Sequence, residues 1–415
     1  MLFIVLRTVG VHAPFGNLGG GITAIQGLLQ EWIRFDHKVV VISEIGNAVS
    51  RAAEIASVSP ESISLPSFSR KDLDPRMSLV TQNIFNHFLQ MRVLRNVSER
   101  LRDDKTVVIA SSPCLSDILA VLYLCRVRGR LGVVYFHHLI TPPWKFPLRR
   151  GGPVRVSVVW LLQTLYLALA KIGNLSIALD HPCEISETGW RIANRIIPDG
   201  HSVSAPAEFV EFDSERAIYD ACFLGRLHAQ KGVLDLVKIW TRVVEDFPRA
   251  KLAIAGSPGP KNLERKFDRE IRKKRLSENI VRLGPLNEVE KWALLRQSKL
   301  MILPSYEEGW SLTVMEAATC RTPSIVYDLR AYDYMQNAVK KVKVGDANSA
   351  ASSVIALLQD EPGRNEMGNR AKQIVGYYTP ETIARNQLQV FEEILDSQQP
   401  APENAKHNLQ VRIRT

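Results

Sequence analysis

Short β-branched runs and longer amphipathic stretches alternate along this chain. KVVVIS (38–43), TVVIASS (106–112), LGVVYFHH (131–138) and LSIALD (175–180) are almost continuously apolar. That is the pattern of parallel strands buried on both faces. A helical pattern of about fifteen residues follows each run, as in CLSDILAVLYLCRVRG (114–129). The rhythm predicts a doubly wound α/β unit. It restarts at YDACFLGRL (219–227) and continues through AKLAIAG (250–256), NIVRLG (279–284), KLMILPS (299–305) and TPSIVY (322–327). Between the two series, NRIIPDGHSVSAPAEFVEFDSER (194–216) is rich in Pro, Asp, Ser and Glu and lacks helical period. The pattern therefore predicts two Rossmann-like domains, 1–205 and 206–379, facing a cleft that the carboxyl ends of both sets of strands can reach. The biased stretch at 398–415 is expected to be disordered.

The 415-residue length suits two large domains. The longest apolar stretch, VSVVWLLQTLYLALA (156–170), contains Gln163 and falls short of the roughly 20 residues that a bilayer requires. It is expected to form a buried helix. The five cysteines, at 114, 125, 183, 222 and 320, are scattered and lack metal-site spacing, so they are expected to be reduced and mostly buried. The opening MLFIVL runs at once into Arg7 and a glycine-rich stretch, unlike a secretory leader. These features predict a cytoplasmic compartment. A net charge of +10 raises nucleic acid, anionic lipid and phosphorylated substrates as partners. Nucleic acid is disfavoured, because no basic stretch is interleaved with aromatics on one strand face.

The densest candidate chemistry lies in LPSYEEGWSLTVMEAATCRTPSIVYD (303–328). A strand ends before YEEGW and a helix begins after it, so free N–H groups and the positive end of the helix dipole favour an anion such as phosphate there. Glu308 in the loop and Glu316 on the helix suit sugar hydroxyls, and two such acceptors flanking a diphosphate match a nucleotide sugar. FLGRLHAQKG (223–232) places Arg226 and Lys231 at another strand end of the same sheet. Two fixed cations there would stabilise a departing diphosphate. GNLGGGITAIQGLL (16–29) leads a glycine run into a helix, which allows close backbone approach to a phosphate or sugar. His137 and His138 end a strand of the first domain on the cleft side.

Together, FLGRLHAQKG, AKLAIAG, NIVRLGPLNEVEKWALL and LPSYEEGWSLTVMEAATCRTPSIVYD resemble the successive signatures of the retaining glycosyltransferases of family four, strongly over 219–328 and weakly over 1–200. The resemblance implies the GT-B fold, two Rossmann-like domains with a last helix, within 380–397, returning to the first. It also implies an E-x7-E pair, with Glu308 near the donor sugar and Glu316 on the ribose. Arg226 and Lys231 would bind the diphosphate. Backbone of Gly309, Trp310, Ser311, Leu312 and Thr313 would line the phosphate cradle, and Gly20 and Gly21 would lie under the donor. The chain at Arg282–Leu286, Leu283 included, would face the base. His137, favoured over His138 by the FH match, would sit near the reacting carbon. No cofactor or metal is implied, only a UDP- or GDP-linked sugar as co-substrate and a sugar or lipid-linked acceptor. Ser311 and Arg321 depart from the glycines that the family often carries. The expected activity is sugar transfer with retention, in glycan, glycolipid or polysaccharide synthesis. The alternatives are a nucleotide-sugar epimerase or a non-catalytic nucleotide-sugar-binding protein. TPPWKFPLRRGGPVRVSVVWLL (141–162) mixes Trp144 and Phe146 with Lys145, Arg149, Arg150 and Arg155. These are the ingredients of a peripheral anchor at the inner face of a membrane, or of an ordinary packed loop with solvated cations.

Overall fold

In a computed structural model, residues 2–8, 20–44, 61–65, 94–96, 98, 105–111, 115–126, 130–136, 153–179, 195–198, 201–203 and 217–398 are described. They form two parallel sheets flanked by helices. The first contains β1 (Phe3–Thr8), β2 (Lys38–Glu44), β3 (Glu61–Leu65), β4 (Thr106–Ala110), β5 (Arg130–Phe136), β6 (Ser176–Leu179) and β7 (Ile196–Pro198), in the order β3-β2-β1-β4-β5-β6-β7. Helices α1 (Gly20–Arg34), α2 (Leu115–Leu124) and α3 (Pro153–Ile172) accompany them. The second sheet has β8 (Ala221–Leu224), β9 (Leu252–Ala255), β10 (Ile280–Gly284), β11 (Met301–Leu303), β12 (Ser324–Tyr327) and β13 (Val339–Val342), in the order β10-β9-β8-β11-β12-β13. Its helices are α4 (Val233–Asp246), α5 (Lys261–Lys273), α6 (Glu288–Arg296), α7 (Leu312–Thr319), α8 (Ala347–Gln359) and α9 (Glu361–Val375). The two Rossmann-like units expected from the alternating pattern are thus present.

Strand order places the site. In the second sheet the chain works outward from β8 through β9 to β10, then returns to lay β11 on the other side of β8. The crevice beyond the carboxyl ends of β8 and β11 is the topological switch point, where ligands of open α/β sheets bind. The loops after these two strands carry Arg226, Lys231, Glu308 and Ser311. In the first sheet the equivalent point lies between β1 and β4, which pair directly (Val5 opposite Val108).

The last helix, α10 (Pro380–Gln398), crosses back to the first domain as expected. Ile383, Ala384, Leu388, Phe391 and Leu395 join Leu28, Trp32, Val107, Val133 and Tyr135 in the core on one face of the first sheet. The Tyr135 hydroxyl pairs with Gln387 at 3.2 Å, Arg34 meets Glu381 at 2.8 Å, and the Arg385 guanidinium lies 4.1 Å from the Phe35 ring centroid. The opposite face of that sheet packs on α2 and on Leu167 and Ala170 of α3.

One expectation needs correction. The apolar 156–170 segment does form a helix, but it is not buried throughout: Val158, Leu161, Leu162 and Leu165 are exposed, as is Ile172 just beyond it. Only one stripe, with Gln163, Leu167 and Ala170, faces inward. A helix apolar on every side reads the same from sequence whether one face or all are covered. Of the described cysteines Cys222 is buried, while Cys125 and Cys320 are partly so. The boundary near 205, the tail beyond Gln398, the His137–His138 pair and the Trp144–Arg150 segment lie outside the described residues.

Candidate functional site

The loop after β8 is a 3-10 turn, Ala229–Lys231, closed by Gly232 in the left-handed region (φ 68°). A Cβ at Gly232 would lie 1.9 Å from the Pro304 carbonyl oxygen, so only glycine lets this turn approach the end of β11. Hydrogen bonds fasten the two loops together: Tyr306 N donates to the Gln230 carbonyl at 2.8 Å, and Gln230 Nε2 donates to the Glu307 carbonyl at 3.3 Å. Beneath them, buried Asp235 accepts from both the Tyr306 and Tyr327 hydroxyls and pairs with Lys238 at 2.8 Å. These contacts fix Lys231 and Glu308 side by side, Nζ to Oε1 at 2.6 Å, with side-chain exposures of 19% and 7%. Arg226 is exposed at the mouth of the same loop.

Helix α7 begins at Ser311, which adopts φ 56°, ψ 72° and makes no side-chain cap to the helix N–H groups. Left-handed geometry costs a non-glycine residue about 1 kcal/mol, and the uncapped amino end presents donors to an anion. The indole of Trp310 is packed among aromatic rings. It stacks on Tyr334 with centroids 4.4 Å apart and meets Tyr378 and His201 edge-on. The Trp310 side chain thus belongs to an aromatic cluster with His201, Tyr334 and Tyr378. Leu312 and Thr313 open the helix, and Gly309 precedes Trp310 in the loop.

Glu316 is buried one turn further, 2.6 Å from Lys291 Nζ, which also holds Glu288 at 2.7 Å. Burial drives the Glu316 carboxyl above its ordinary range, opposed by the Lys291 charge. Burial would lower Lys291, but the two carboxylates outweigh it and hold the ammonium above its usual value. Glu316 and Lys291 line an open cavity of about 190 Å³ with Leu312, with Gly27 and Gln30 of α1, and with Pro380. A second cavity, about 150 Å³, is bounded by Leu227, Ile254, Gly256, Arg282, Gly284 and Pro285 at the carboxyl ends of β8, β9 and β10. Its rim is fixed by Arg282, which pairs with Asp268 at 2.7 Å. Leu283 does not line this cavity; it packs against the core of the second domain, while its neighbours in the strand face the opening.

The solved structure of an S. aureus TarM variant in complex with fondaparinux, alpha-GlcNAc-glycerol and UDP superimposes with a TM-score of 0.70 at 12% identity, over 94% of this chain and 100% of that one. The fold is GT-B. Residues 211–374, the second half of the GT-B pair, match the model of the family described as glycosyl transferases group 1. Poly(glycerol-phosphate) alpha-glucosyltransferase of Bacillus subtilis is 24% identical over 193 residues, 45% of this chain and 28% of that protein. Glycogen synthase of Mycobacterium tuberculosis is 26% identical over 176 residues, 41% of each. The chain thus matches less than half the length of these curated relatives.

Within the GT-B frame, the structure pairs Lys231 with Glu308, places exposed Arg226 earlier in the loop that carries Lys231, and sets Glu316 on the cavity between α1, α6 and α7. Gly20 and Gly21 open α1, whose Gly27 and Gln30 reach that cavity from the first domain. His137 lies outside the described residues. Sequence reasoning missed Lys291, which sits in NEVEKWALL without a distinguishing pattern. It also missed Asp235, whose only signal was an acid in the first turn of an otherwise apolar helix face.

Proposed function

We propose that this protein is a retaining glycosyltransferase that moves a sugar from a nucleoside diphosphate, UDP- or GDP-linked, to an acceptor hydroxyl. The observation that carries the reading is the pairing of Lys231 with Glu308 at the switch point of the second sheet, beside the uncapped amino end of α7. In this reading the 282–285 strand end receives the base and Glu316 accepts from the ribose hydroxyls. Lys231, Arg226 and the α7 amides take the diphosphate, and Glu308 accepts from the donor sugar. As the anomeric C–O bond breaks, its electron pair moves to the diphosphate, where charge develops next to groups already in place. The acceptor hydroxyl enters from the face the diphosphate leaves, forms the new C–O bond, and gives its proton to a departing phosphate oxygen. No protein nucleophile is required. The acceptor is a sugar or a lipid-linked glycan.

Thermal unfolding with UDP, GDP and ADP tests donor binding, since a ligand of the folded state raises the transition temperature by mass action. UDP or GDP is expected to do so, and the corresponding sugar nucleotide to release its nucleoside diphosphate with acceptor present. Proton NMR of the product then reads its anomeric configuration. No shift with any nucleotide, or an inverted product, overturns the proposal.

A further inference from the structure

Five of the eight large hydrophobic side chains exposed among the described residues belong to α3: Val158, Leu161, Leu162, Leu165 and Ile172. Their spacing of three, four and seven gathers them on one stripe of the helix, opposite the Leu167 and Ala170 stripe that packs on the first domain. Water gains nothing from such a stripe. A contiguous apolar face of this kind marks a contact surface.

Charge identifies the contact. From Ile118 to Leu179 the sequence contains eight Lys or Arg and no Asp or Glu. Among them Lys171 is exposed at the carboxyl end of α3, and Arg126 is exposed just past α2, the helix that α3 packs against. Arg149 and Arg150 precede α3 in sequence, and Arg155 lies in its first turn. The exposed charges described at the end of α3 and just past α2, Lys171 and Arg126, are both positive; an apolar stripe in that company disfavours a second copy of itself and complements an anionic, apolar-cored surface. No helix among the described residues is long and apolar enough to cross a membrane. A helix seated on the protein by one stripe and apolar on the other would lie along a membrane surface.

We propose that α3 is the docking face of this protein for an anionic phospholipid bilayer, with Val158, Leu161, Leu162 and Leu165 entering the headgroup boundary and the exposed Lys171 and Arg126 meeting lipid phosphates. This surface is independent of the nucleotide site. Bound in this way, the first domain is held at the bilayer, where a lipid-linked acceptor would be presented.

Co-sedimentation of the full chain with phosphatidylglycerol/phosphatidylcholine vesicles tests it against pure phosphatidylcholine. Binding to the anionic vesicles at low salt is expected, weakening as salt is raised. Leu161→Glu with Leu165→Glu is expected to weaken partitioning at least about tenfold while leaving the nucleotide-induced thermal shift unchanged. If that pair disturbs folding, Leu161→Ser with Leu165→Ser is expected to act in the same direction without placing charge on the helix. A protein that stays in the supernatant at low salt overturns the proposal. So does binding that the substitutions leave intact, or a dimer in analytical ultracentrifugation that the same substitutions dissociate. A nucleotide shift that persists through these outcomes separates failure of this proposal from failure of the transfer reading.

Discussion

Lys231 and Glu308 are nearly withdrawn from water, so each depends on the other. Removing one partner of such a pair strands a charge, which costs more than the pair itself contributes. Lys231→Ala is therefore expected to lower turnover about tenfold to a thousandfold and also to lower the unfolding temperature. Adding Glu308→Gln should restore the unfolding temperature toward wild type and leave turnover low. Calorimetry and steady-state kinetics on the single and double variants check this, and normal turnover in Lys231→Ala removes the diphosphate assignment.

Lys291 offers a test by pH. Burial already raises the Glu316 carboxyl, and Lys291 is the charge that opposes the rise. In Lys291→Met the carboxyl should move higher still, with Glu288 as the remaining charged neighbour. If ionised Glu316 accepts from a ribose, nucleotide affinity in the variant falls at acidic pH and recovers as pH increases, with the recovery displaced to higher pH than in wild type. Stability follows the opposite sign. An acid whose folded value is raised stabilises the fold below its unfolded value and loses that contribution as pH climbs through the folded one, so the variant should be hurt most near neutrality. Titration of nucleotide binding from about pH 5 to 8 decides; an undisplaced acid limb refutes the role.

At the scale of elements, both residues where glycine was expected sit at the ends of α7. Ser311 enters the helix at φ 56° and Arg321 leaves it at φ 58°. The backbone keeps the left-handed geometry and the side chains bear the strain. Arg321 is exposed, so Arg321→Gly should stabilise the protein by about 0.5–1 kcal/mol in urea unfolding; a loss would mean that the arginine side chain outweighs the strain. These elements also show what the chain discloses. The strands KVVVIS and TVVIASS were legible because burial on both faces leaves an unbroken apolar run, and Glu308 and Glu316 because loop and helix alternate so regularly around them. The edge strand VKKV (339–342) was not, since Lys340 and Lys341 interrupt its pattern. Lys291 was invisible for a different reason. It reaches Glu316 from another helix, 25 residues earlier, and no local spacing records that meeting. The exposed stripe of α3 was hidden because composition reports apolarity without saying which side is covered.

For the whole molecule, placing the leaving-group cations in the loop after β8 means that the proposed transfer draws on Arg226, Lys231 and the α7 dipole for positive charge. Turnover is expected to survive EDTA nearly unchanged. Complete loss with EDTA, restored by manganese, would assign that charge to a metal and overturn this division of labour.

The route of the last helix bears on how the protein is made. The second sheet is drawn from one continuous stretch, 221–342, whereas the first waits for Phe391 and Leu395 of α10 to cover one of its faces. On the ribosome the first domain emerges before the second yet stays open along the Trp32 and Tyr135 side until residue 395 has left the exit tunnel. The carboxyl-terminal domain can close its core before its predecessor does, reversing the usual vectorial order. A nascent chain with residue 375 clear of the tunnel and α10 still inside it would then display a folded second domain and an apolar, chaperone-binding first one.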